Sequence, residues 1–229
     1  MTVAGAIASK PARMVAPTEP VEVLARPRFV SRGGEKLDAA LEQFGVDVSG
    51  WRVADAGAST GGFTDCLLQR GAAEVVAIDV GHGQLDQTMR EDPRVVVLER
   101  TNVRHLASEA IGGPVDLVVA DLSFISLTAV LPALIGLVRP AGELVLLVKP
   151  QFEAGRAEVS RGRGVIRDPE VRREVQDRIA DALRGAGATI MGWMESPLRG
   201  ADGNIELFVH ARTARSGPAA GGSTGNGAG

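Results

Sequence analysis

The sequence predicts an α/β fold built on a seven-stranded, mostly parallel sheet that ends in an antiparallel hairpin. Three features predict it: short runs of Val, Leu and Ile recur along the chain, segments with helical periodicity alternate with them, and the last two runs are joined by a loop with no room for a crossover helix. Nearly continuous apolar strands that alternate with helices are typical of a parallel sheet covered on both faces.

The first predicted elements lie between position 31 and about 90. In SRGGEKLDAALEQFG, apolar residues recur at helical spacing from Leu37 to Phe44, and Gly45 predicts the end of the helix. The strand RVADAG follows, and then a glycine-rich turn, the helix FTDCLLQRG, the strand EVVAID and a short helix around 85–90.

The alternation continues to the end of the last strand. VVVLER and VDLVVADL predict the third and fourth strands, 126–138 is helical in part, and ELVLLVKP predicts the fifth strand. Asp168 and Pro169 predict the N-cap and first turn of a helix that ends at Gly185. ATIMGWME and IELFVHAR are the last two strands, and the turn residues of SPLRGADGN between them predict antiparallel pairing. Seven strands with a terminal hairpin are the arrangement of the Rossmann-like, class I methyltransferases.

Composition narrows the class of protein. The 229 residues suffice for a sizeable core, and 45% apolar with 23% charged residues exclude wholesale disorder. A single cysteine, Cys66, excludes an intrachain disulfide and a multi-cysteine zinc site and favours a reducing compartment. The longest apolar run, 127–138, is shorter than the roughly 20 residues that a membrane-spanning helix needs. We therefore expect a cytoplasmic protein with no membrane span, and the scattered His82, His105 and His210 predict no metal site.

The turn after the first sheet strand is the most informative segment. It reads DAGASTGGFT, from Asp55 to Thr64, and its glycines let the backbone approach a ligand at the start of a helix. Dinucleotide-binding turns prefer G-x-G-x-x-G, whereas position 59 is Ser. Asp79 ends the second strand, 22 residues after Gly57, where a carboxylate can accept hydrogen bonds from both ribose hydroxyls. These features favour S-adenosyl-L-methionine over NAD; a purely structural glycine turn is the alternative.

Two further residues extend the expected cofactor site. Asp55 is expected to face the cationic amino group of the methionine part, and Asn102, just past the third strand, is either an adenine-side contact or a turn residue. The residues expected to bind the cofactor are Asp55, Gly57, Ser59, Thr60, Gly61, Gly62, Phe63, Asp79, Asn102 and Asp121.

Three polar side chains are expected where a substrate would bind. In an open α/β sheet, ligands lie outside the carboxyl ends of the parallel strands. Asp121 ends the fourth strand, Lys149 ends the fifth, and Glu206 begins the reversed last strand, which reaches the same edge. For any one of them, a solvated side chain or a structural ion pair is the alternative. Three together favour a site in which a lysine draws a proton from a hydroxyl and no metal is required.

Five segments together resemble a known family: FVSRGGEKL, DAGASTGGFTDCLLQRGA, VDLVVADLSFISL, LVKPQFE and GNIELF. They are similar to the haemolysin A-like (TlyA) ribosomal RNA methyltransferases, within the FtsJ-like fold group. The resemblance implies ribose 2′-O-methylation from S-adenosyl-L-methionine by a Lys-Asp-Lys-Glu tetrad. Matched motif by motif, the tetrad is Lys36, Asp121, Lys149 and Glu206, with Lys36 assigned by resemblance alone. We expect Lys149 to be the base, and Asp121 and Glu206 to orient the lysines and the hydroxyl.

The resemblance also implies a domain organisation. Residues 1–28 are expected to be the remnant of an N-terminal RNA-binding module plus a linker, because they resemble only the last part of that module. Residues 29–213 are expected to form the FtsJ-like methyltransferase domain. The segment 214–229, rich in Gly, Ala and Ser, is expected to be a disordered tail.

The net charge of −3 carries no basic signature, but cationic residues cluster locally. Positions 26–36 hold four cationic residues against one acidic residue, and positions 156–173 hold six against three. We expect both stretches to bind phosphates of ribosomal RNA or ribosomal subunits; for the second, a solvated mobile loop is the alternative. The arginines expected to contact RNA are Arg26, Arg28, Arg32, Arg156, Arg161 and Arg163.

Two other functions stay open. A small-molecule methyltransferase would act on nucleosides or metabolites without RNA. A lytic or RNA-binding protein with a vestigial methyltransferase fold would carry out no transfer; the family's haemolysin name implies lysis, although no spanning or strongly amphipathic segment supports it.

Overall fold

The computed structural model describes residues 2–3, 6–7, 14–22, 27–155, 158, 160, 162–200 and 202–215. Near the N-terminus, three two-residue strands pair antiparallel: β1 (Thr2–Val3), β2 (Ala6–Ile7) and β3 (Val21–Glu22), in the order β2-β1-β3. Three of the expected RNA contacts (Arg26, Arg156 and Arg161) and the expected tail from position 216 onward lie outside the described residues.

Helices and strands alternate along the rest of the chain. They are α1 (Arg32–Phe44), β4 (Arg52–Ala56), α2 (Gly62–Gln69), β5 (Glu74–Ile78), α3 (Gln87–Glu91), β6 (Val95–Leu98), β7 (Val115–Ala120), α4 (Leu127–Leu137), β8 (Val138–Val148), α5 (Pro150–Glu153), α6 (Pro169–Gly185), β9 (Thr189–Glu195) and β10 (Leu207–Arg212). Two 3₁₀ turns, Val103–His105 and Ser108–Ile111, connect β6 to β7.

The main sheet has seven strands in the order β6-β5-β4-β7-β8-β10-β9. β4 pairs parallel with β5 and β7, β5 with β6, and β7 with β8, whereas β10 pairs antiparallel with both β8 and β9. The predicted sheet and its antiparallel hairpin are therefore confirmed. The chain leaves β4 toward β5 on one side and returns to β7 on the other, and ligands bind at such reversals of strand order.

Helices cover both faces of this sheet. On one face Leu131 of α4 and Ile179 of α6 are buried against the strands, and on the other face Leu37 of α1 and Leu67 of α2 are buried. Each such side chain contributes roughly 1.5–3 kcal/mol when it is fully buried, so the two apolar layers hold the sheet between them. Cys66 lies in the second layer, where burial raises the pKa of its thiol to about 12. It is therefore a core residue and not a reactive thiol.

Two strands begin at least two residues away from the predicted start. β8 begins at Val138, five residues before ELVLLVKP, because Val138 pairs with Val115 beyond a shift in register. β10 begins at Leu207, so Glu206 belongs to the preceding loop and not to the strand. The Glu206 carbonyl still accepts a 2.8 Å hydrogen bond from the N–H of Ser196, the residue after β9.

The predicted helix ends are confirmed. Gly45 follows α1 with a left-handed φ of +66°, and α6 begins after Asp168, whose side chain accepts a hydrogen bond from the N–H of Glu170. α6 ends at Gly185. Within the part of the chain that the structure describes, no helix has the length and apolarity needed to cross a membrane.

Candidate active site

Two adjoining cavities open at the carboxyl ends of the parallel strands. The glycine-loop cavity, of about 480 Å³, is lined by residues that follow β4, β5, β6 and β7. The lysine cavity, of about 280 Å³, is lined by residues of the α1 N-terminus, the turn after β4, the ends of β7 and β8, and the loop before β10. They share a wall formed by Gly57, Ser59, Asp121 and Ser123, so a ligand in one cavity is next to a ligand in the other.

The turn between β4 and α2 is possible only with glycine at position 57. Gly57 has a φ of +85°, and a Cβ atom there would lie 2.5 Å from the carbonyl oxygen of Asp121. The N–H groups of Gly57 and Ala58 donate hydrogen bonds to the carbonyl of Ile78, at 2.8 and 3.1 Å. The ends of β4, β5 and β7 are thereby drawn together, and the backbone itself forms the cavity wall.

The predicted turn residues after Ser59 do not line the glycine-loop cavity. Thr60, Gly62 and Phe63 line the lysine cavity instead. Gly61 is the N-cap of α2 with a φ of +93°, and a Cβ atom there would lie 2.9 Å from Leu85. Gly61 therefore serves the packing of the turn.

Asp79 and Asn102 line the glycine-loop cavity, as expected for cofactor contacts. One Asp79 carboxylate oxygen accepts a hydrogen bond from the N–H of Ser59 at 2.8 Å, and the other accepts one from the N–H of Gly81 at 2.7 Å. Each oxygen has a second lone pair, so the carboxylate can still accept ligand hydroxyls. The side chain of Asn102 accepts a hydrogen bond from the N–H of Arg104, which is the contact of a turn residue; the adenine-side contact stays a prediction.

Asp55 is placed differently from the expectation of a direct contact. It is fully buried in β4 and does not belong to the described lining of either cavity. One oxygen accepts a 2.7 Å hydrogen bond from Thr64 Oγ1, and the other has no partner among the described residues. Burial, with a smaller contribution from the nearby Asp121 and Asp79 carboxylates, raises the pKa of Asp55 to about 7.

The first of two lysine–carboxylate pairs joins residues that are 170 positions apart in the sequence. Lys36 Nζ lies 2.5 Å from Glu206 Oε2, and both side chains are buried. Two glycines permit this approach: a Cβ atom at Gly34 would lie 2.3 Å from the Phe29 ring, and a Cβ atom at Gly200 would lie 2.6 Å from Glu206 Oε1. The pair therefore depends on close packing at the start of α1 and in the loop before β10.

The second pair joins Lys149, at the end of β8, to Asp121, at the end of β7. Lys149 Nζ lies 2.5 Å from Asp121 Oδ1 and donates a 3.0 Å hydrogen bond to Ser123 Oγ. Asp121 Oδ1 is close enough for an ion pair but is not aligned to accept a hydrogen bond, so it keeps an unused acceptor position. Two of the three lysines of the chain thus lie in one cavity.

Side-chain contacts hold the loops after β7 and β8 together beside this pair. Glu153 is buried, and its carboxylate accepts hydrogen bonds from the N–H of Leu127 at 2.5 Å and from Ser126 Oγ at 2.6 Å. The rings of Phe124 and Phe152 lie 5.3 Å apart. These contacts connect the segment that carries Asp121 to the segment that carries Lys149, and they help to fix the distance between the two side chains.

The described arginines of the first basic stretch have different surroundings. Arg28 pairs with Asp38 at 2.5 Å and stacks over Phe29, so its charge is neutralised away from the cavities. Arg32 lines the lysine cavity. In the second stretch, Arg163 is exposed in a left-handed conformation with a φ of +51°.

The sequence patterns did not predict three residues of the candidate site: Ser123, Glu153 and Arg199. Ser123 and Glu153 occur within the motifs LSFISL and LVKPQFE, so their segments carried a signal but their individual roles did not. Arg199 lies in SPLRGADGN, where the pattern predicts only a turn.

Comparison with known proteins agrees with the geometry. A family model described as FtsJ-like methyltransferase matches residues 29–213. The chain is 54% identical over 211 residues to the Mycobacterium tuberculosis "16S/23S rRNA (cytidine-2'-O)-methyltransferase TlyA", covering 91% of this chain and 78% of that one. It is 40% identical over 200 residues to "Hemolysin A" of Brachyspira hyodysenteriae, covering 87% and 83%.

A solved structure from another branch shares the architecture. An S-adenosylmethionine dependent methyltransferase from Mesorhizobium loti superposes with a TM-score of 0.55 at 17% identity, over 76% of this chain and 96% of that one. At this identity the likeness shows the fold alone. The family model and the relatives carry the family assignment, and they confirm the resemblance seen in the five motifs: the chain belongs to the FtsJ-like methyltransferase family.

Proposed function

We propose that this protein transfers the methyl group of S-adenosyl-L-methionine to the 2′-hydroxyl of a ribose in ribosomal RNA. One observation carries the proposal. Asp121, which is paired with Lys149, belongs to the wall that the two cavities share, and Lys36, which is paired with Glu206, lines the lysine cavity. At this wall a methyl donor in one cavity would meet a hydroxyl in the other.

The residues of the glycine-loop cavity fit the cofactor. The backbone wall at Gly57 has no room for a side chain, and the Asp79 carboxylate retains acceptor capacity for a ribose diol. Asn102 lines the side where adenine would lie. When bound, S-adenosyl-L-methionine supplies a methyl group attached to a positively charged sulfur. Asp55 lies buried behind this turn, and one of its oxygens has no hydrogen-bond partner within the described part of the chain.

Lys149 is the base in the proposed reaction. A ribose hydroxyl is a weak nucleophile until its proton is removed, and a neutral lysine amine within hydrogen-bond reach can accept that proton. Asp121 and Ser123 hold Nζ from two sides, which leaves the remaining side open to the lysine cavity. Lys149 Nζ would take up the proton of the 2′-oxygen, and the cofactor would supply the methyl group, with the electron pair of the broken carbon–sulfur bond remaining on its sulfur.

Lys36 is the second lysine of the proposed tetrad, and its task is orientation. Glu206, itself buried, fixes Nζ of Lys36 on the cavity wall. From there Lys36 can donate a hydrogen bond to an oxygen of the substrate ribose. Positioning of both reactants supplies most of what a transfer from such a reactive donor requires.

An RNA substrate is supported by the surface around the cavities. Phe124 is 92% exposed on the wall of the glycine-loop cavity and presents a ring on which an unstacked base can lie. Arg32 and Arg163 supply cationic side chains near the entrance and in the Gly/Arg-rich loop. The TlyA relative is named for the modification of 16S and 23S rRNA cytidines. A protein with this substrate would work in the cytoplasm, with ribosomal subunits as its partner.

The test is transfer of a labelled methyl group to ribosomal subunits that lack the modification, followed by mapping of the methylated ribose. We expect wild-type protein to label one or a few 2′-oxygens. Label that appears on free nucleosides or metabolites in the absence of RNA would instead favour the small-molecule reaction.

Substitution of Lys149 tests the assignment of the base. Lys149→Ala is expected to lower turnover by about 10²–10⁴-fold, the usual contribution of a general base. Lys149→Arg retains the positive charge but cannot accept a proton, and it is expected to be similarly inactive. Both variants should bind S-adenosyl-L-methionine nearly as wild type does in calorimetry. Activity in Lys149→Arg would refute proton removal by this residue.

A further inference from the structure

We infer that Arg199 and Arg32 form a subsite for the RNA phosphate that flanks the methylated ribose. The inference rests on the proposed function and adds to it a contact that a free nucleoside cannot make. Arg199 lies in the loop between β9 and β10, and Arg32 is the first residue of α1.

Both arginines line the lysine cavity and are connected to each other. A guanidinium nitrogen of Arg32 donates a 3.1 Å hydrogen bond to the carbonyl oxygen of Arg199. This hydrogen bond connects the loop before β10 to the start of α1, and both side chains line the same cavity. Arg199 also donates a long hydrogen bond of 3.4 Å to the carbonyl of Gly203, which leaves most of its donors available.

The charges of the cavity single out these two side chains. Lys36 is paired with Glu206, and Lys149 is paired with Asp121. Among the described residues, neither Arg32 nor Arg199 has a carboxylate within ion-pair distance. The described wall of the lysine cavity therefore has two cations whose charge is not neutralised.

The chemistry of RNA places an anion at the same location. The carbon that carries the 2′-hydroxyl is bonded to the carbon that carries the 3′-phosphodiester. A ribose that presents its 2′-oxygen to Lys149 therefore brings a phosphate into or next to the lysine cavity. Arginine suits this role because its planar guanidinium can donate two parallel hydrogen bonds to one phosphate.

The test compares kcat and KM of Arg199→Ala and wild type on ribosomal subunits between 50 and 200 mM KCl. We expect KM to rise about tenfold and kcat to stay within twofold, because the lost contact is a charge-assisted hydrogen bond to bound RNA. The slope of log affinity against log salt should become shallower by about 0.7–0.9, the value for one phosphate contact. Arg199→Lys should keep the salt slope while losing part of the affinity.

The matched control is Arg184→Ala. Arg184 is an exposed arginine near the end of α6 that pairs with Asp181, so its removal makes the same change in net charge away from the cavities. The subsite is refuted if Arg199→Ala keeps the wild-type salt slope, or if Arg184→Ala flattens the slope equally. It is also refuted if the Arg32→Ala and Arg199→Ala effects multiply with no coupling, since two groups on one phosphate must interact.

Failure of the subsite and failure of the proposed function give different results. If wild-type protein labels no RNA, the function is wrong. If wild-type protein labels RNA and Arg199→Ala does so with unchanged KM and salt slope, the function stands and only the subsite is wrong. Calorimetric titration of each variant with S-adenosyl-L-methionine shows that it is folded.

Discussion

β8 and β10 have a charged cluster toward each of their two ends, and the clusters differ in kind. At the carboxyl end of β8, the rim cluster consists of Lys149 with Asp121 and Lys36 with Glu206. At the opposite end, Glu143 lies between His210 and Arg212, which we call the far-end cluster. Both are inside the same fold, and only the rim cluster borders the glycine turn.

Cavity volume does not tell which end of these strands holds the candidate site. A cavity of about 630 Å³, larger than the glycine-loop cavity and the lysine cavity, lies at the far end, between the end of α1 and strands β9 and β10. Its wall includes Phe44, Asp47, Glu143 and His210. It has no strand-to-helix glycine turn, and it does not lie at the carboxyl ends of the parallel strands. Topology, and not volume or buried charge, therefore identifies the site in this fold.

The two clusters do differ in whether their carboxylate oxygens have hydrogen-bond partners. Both Glu143 oxygens have partners: one faces His210 Nε2, and the other accepts hydrogen bonds from Arg212, the shorter at 2.6 Å. At the rim, one oxygen of Asp55 and one of Asp121 have no hydrogen-bond partner among the described residues, although Lys149 Nζ lies 2.5 Å from the Asp121 oxygen. The far-end carboxylate therefore has all its hydrogen bonds as folded, whereas the rim keeps buried acceptors that are not hydrogen-bonded, a feature that is uncommon in folded proteins.

The sharpest test of this contrast is Glu206→Gln. It leaves Lys36 as a buried cation without its counter-charge, and the free energy of unfolding is expected to fall by about 3–5 kcal/mol. Methyl transfer should fall by more than about 100-fold, because Lys36 loses its orientation. Urea unfolding and initial rates measure the two effects. Glu195→Gln, at an exposed end of β9, is the control, and a folded Glu206→Gln protein with the wild-type rate would contradict the assignment.

Glu143→Gln tests the far-end cluster. We expect a loss of about 2–3 kcal/mol in the free energy of unfolding, because hydrogen bonds to a charged group are weakened, with kcat within twofold of wild type. The His210 hydrogen bond and the Arg212 contacts hold the pKa of Glu143 below its usual 4.5. The stability it contributes is therefore present above pH 4.5 and is lost as pH falls through the lowered pKa. Variant and wild type should converge in acid; a large loss of kcat would break the contrast.

Asp55→Asn, at the rim, tests a pH dependence of stability that is opposite in sign to that of Glu143. Burial raises the pKa of Asp55 to about 7 from 3.8, so between these values the folded state holds a proton that the unfolded state has released. The free energy of unfolding of wild type thus falls as pH rises from about 4 to 7. At pH 8 the Asn variant should be more stable than wild type by about 4 kcal/mol, and near pH 4 the two should be nearly equal. Parallel pH dependences in urea unfolding would contradict the raised pKa.

Ser123→Ala is expected to have the smallest effect. Removing the hydroxyl that accepts from Lys149 Nζ should lower kcat about tenfold, or about 1.4 kcal/mol in activation free energy. The pH–rate profile should shift because the environment of the base changes, whereas the cofactor dissociation constant should change little. Ser123→Thr restores a hydroxyl and should recover most of the rate. If Ala and Thr variants behave alike, the serine does not position Lys149.

Local sequence patterns predicted most of the fold. Apolar periodicity predicted the seven strands and the amphipathic helices, and Gly45, Asp168 and Pro169 predicted helix ends, because capping acts within one turn. The early start of β8 was missed because a register shift against β7 depends on a partner strand and not on the residues of β8 alone.

The candidate site was predictable to the level of strand ends. Asp121, Lys149 and Glu206 follow from the rule that the carboxyl ends of parallel strands meet at one edge, whereas Lys36 required the motif resemblance because its helix lies outside that rule. Ser123 and Arg199 were missed, since turn residues have no periodicity that points to a cavity.

The sequence by itself determined the glycine turn, the alternation of strands and helices, and the family, because these are properties of short segments. Only the tertiary structure decided three features: the pairing of Lys36 with Glu206 rather than Asp121, the burial of Asp55 behind the turn, and the position of two arginines with no carboxylate within ion-pair distance among the described residues. Such pairings join residues as far as 170 positions apart. Their energies depend on distance and burial, and packing of the whole chain sets both.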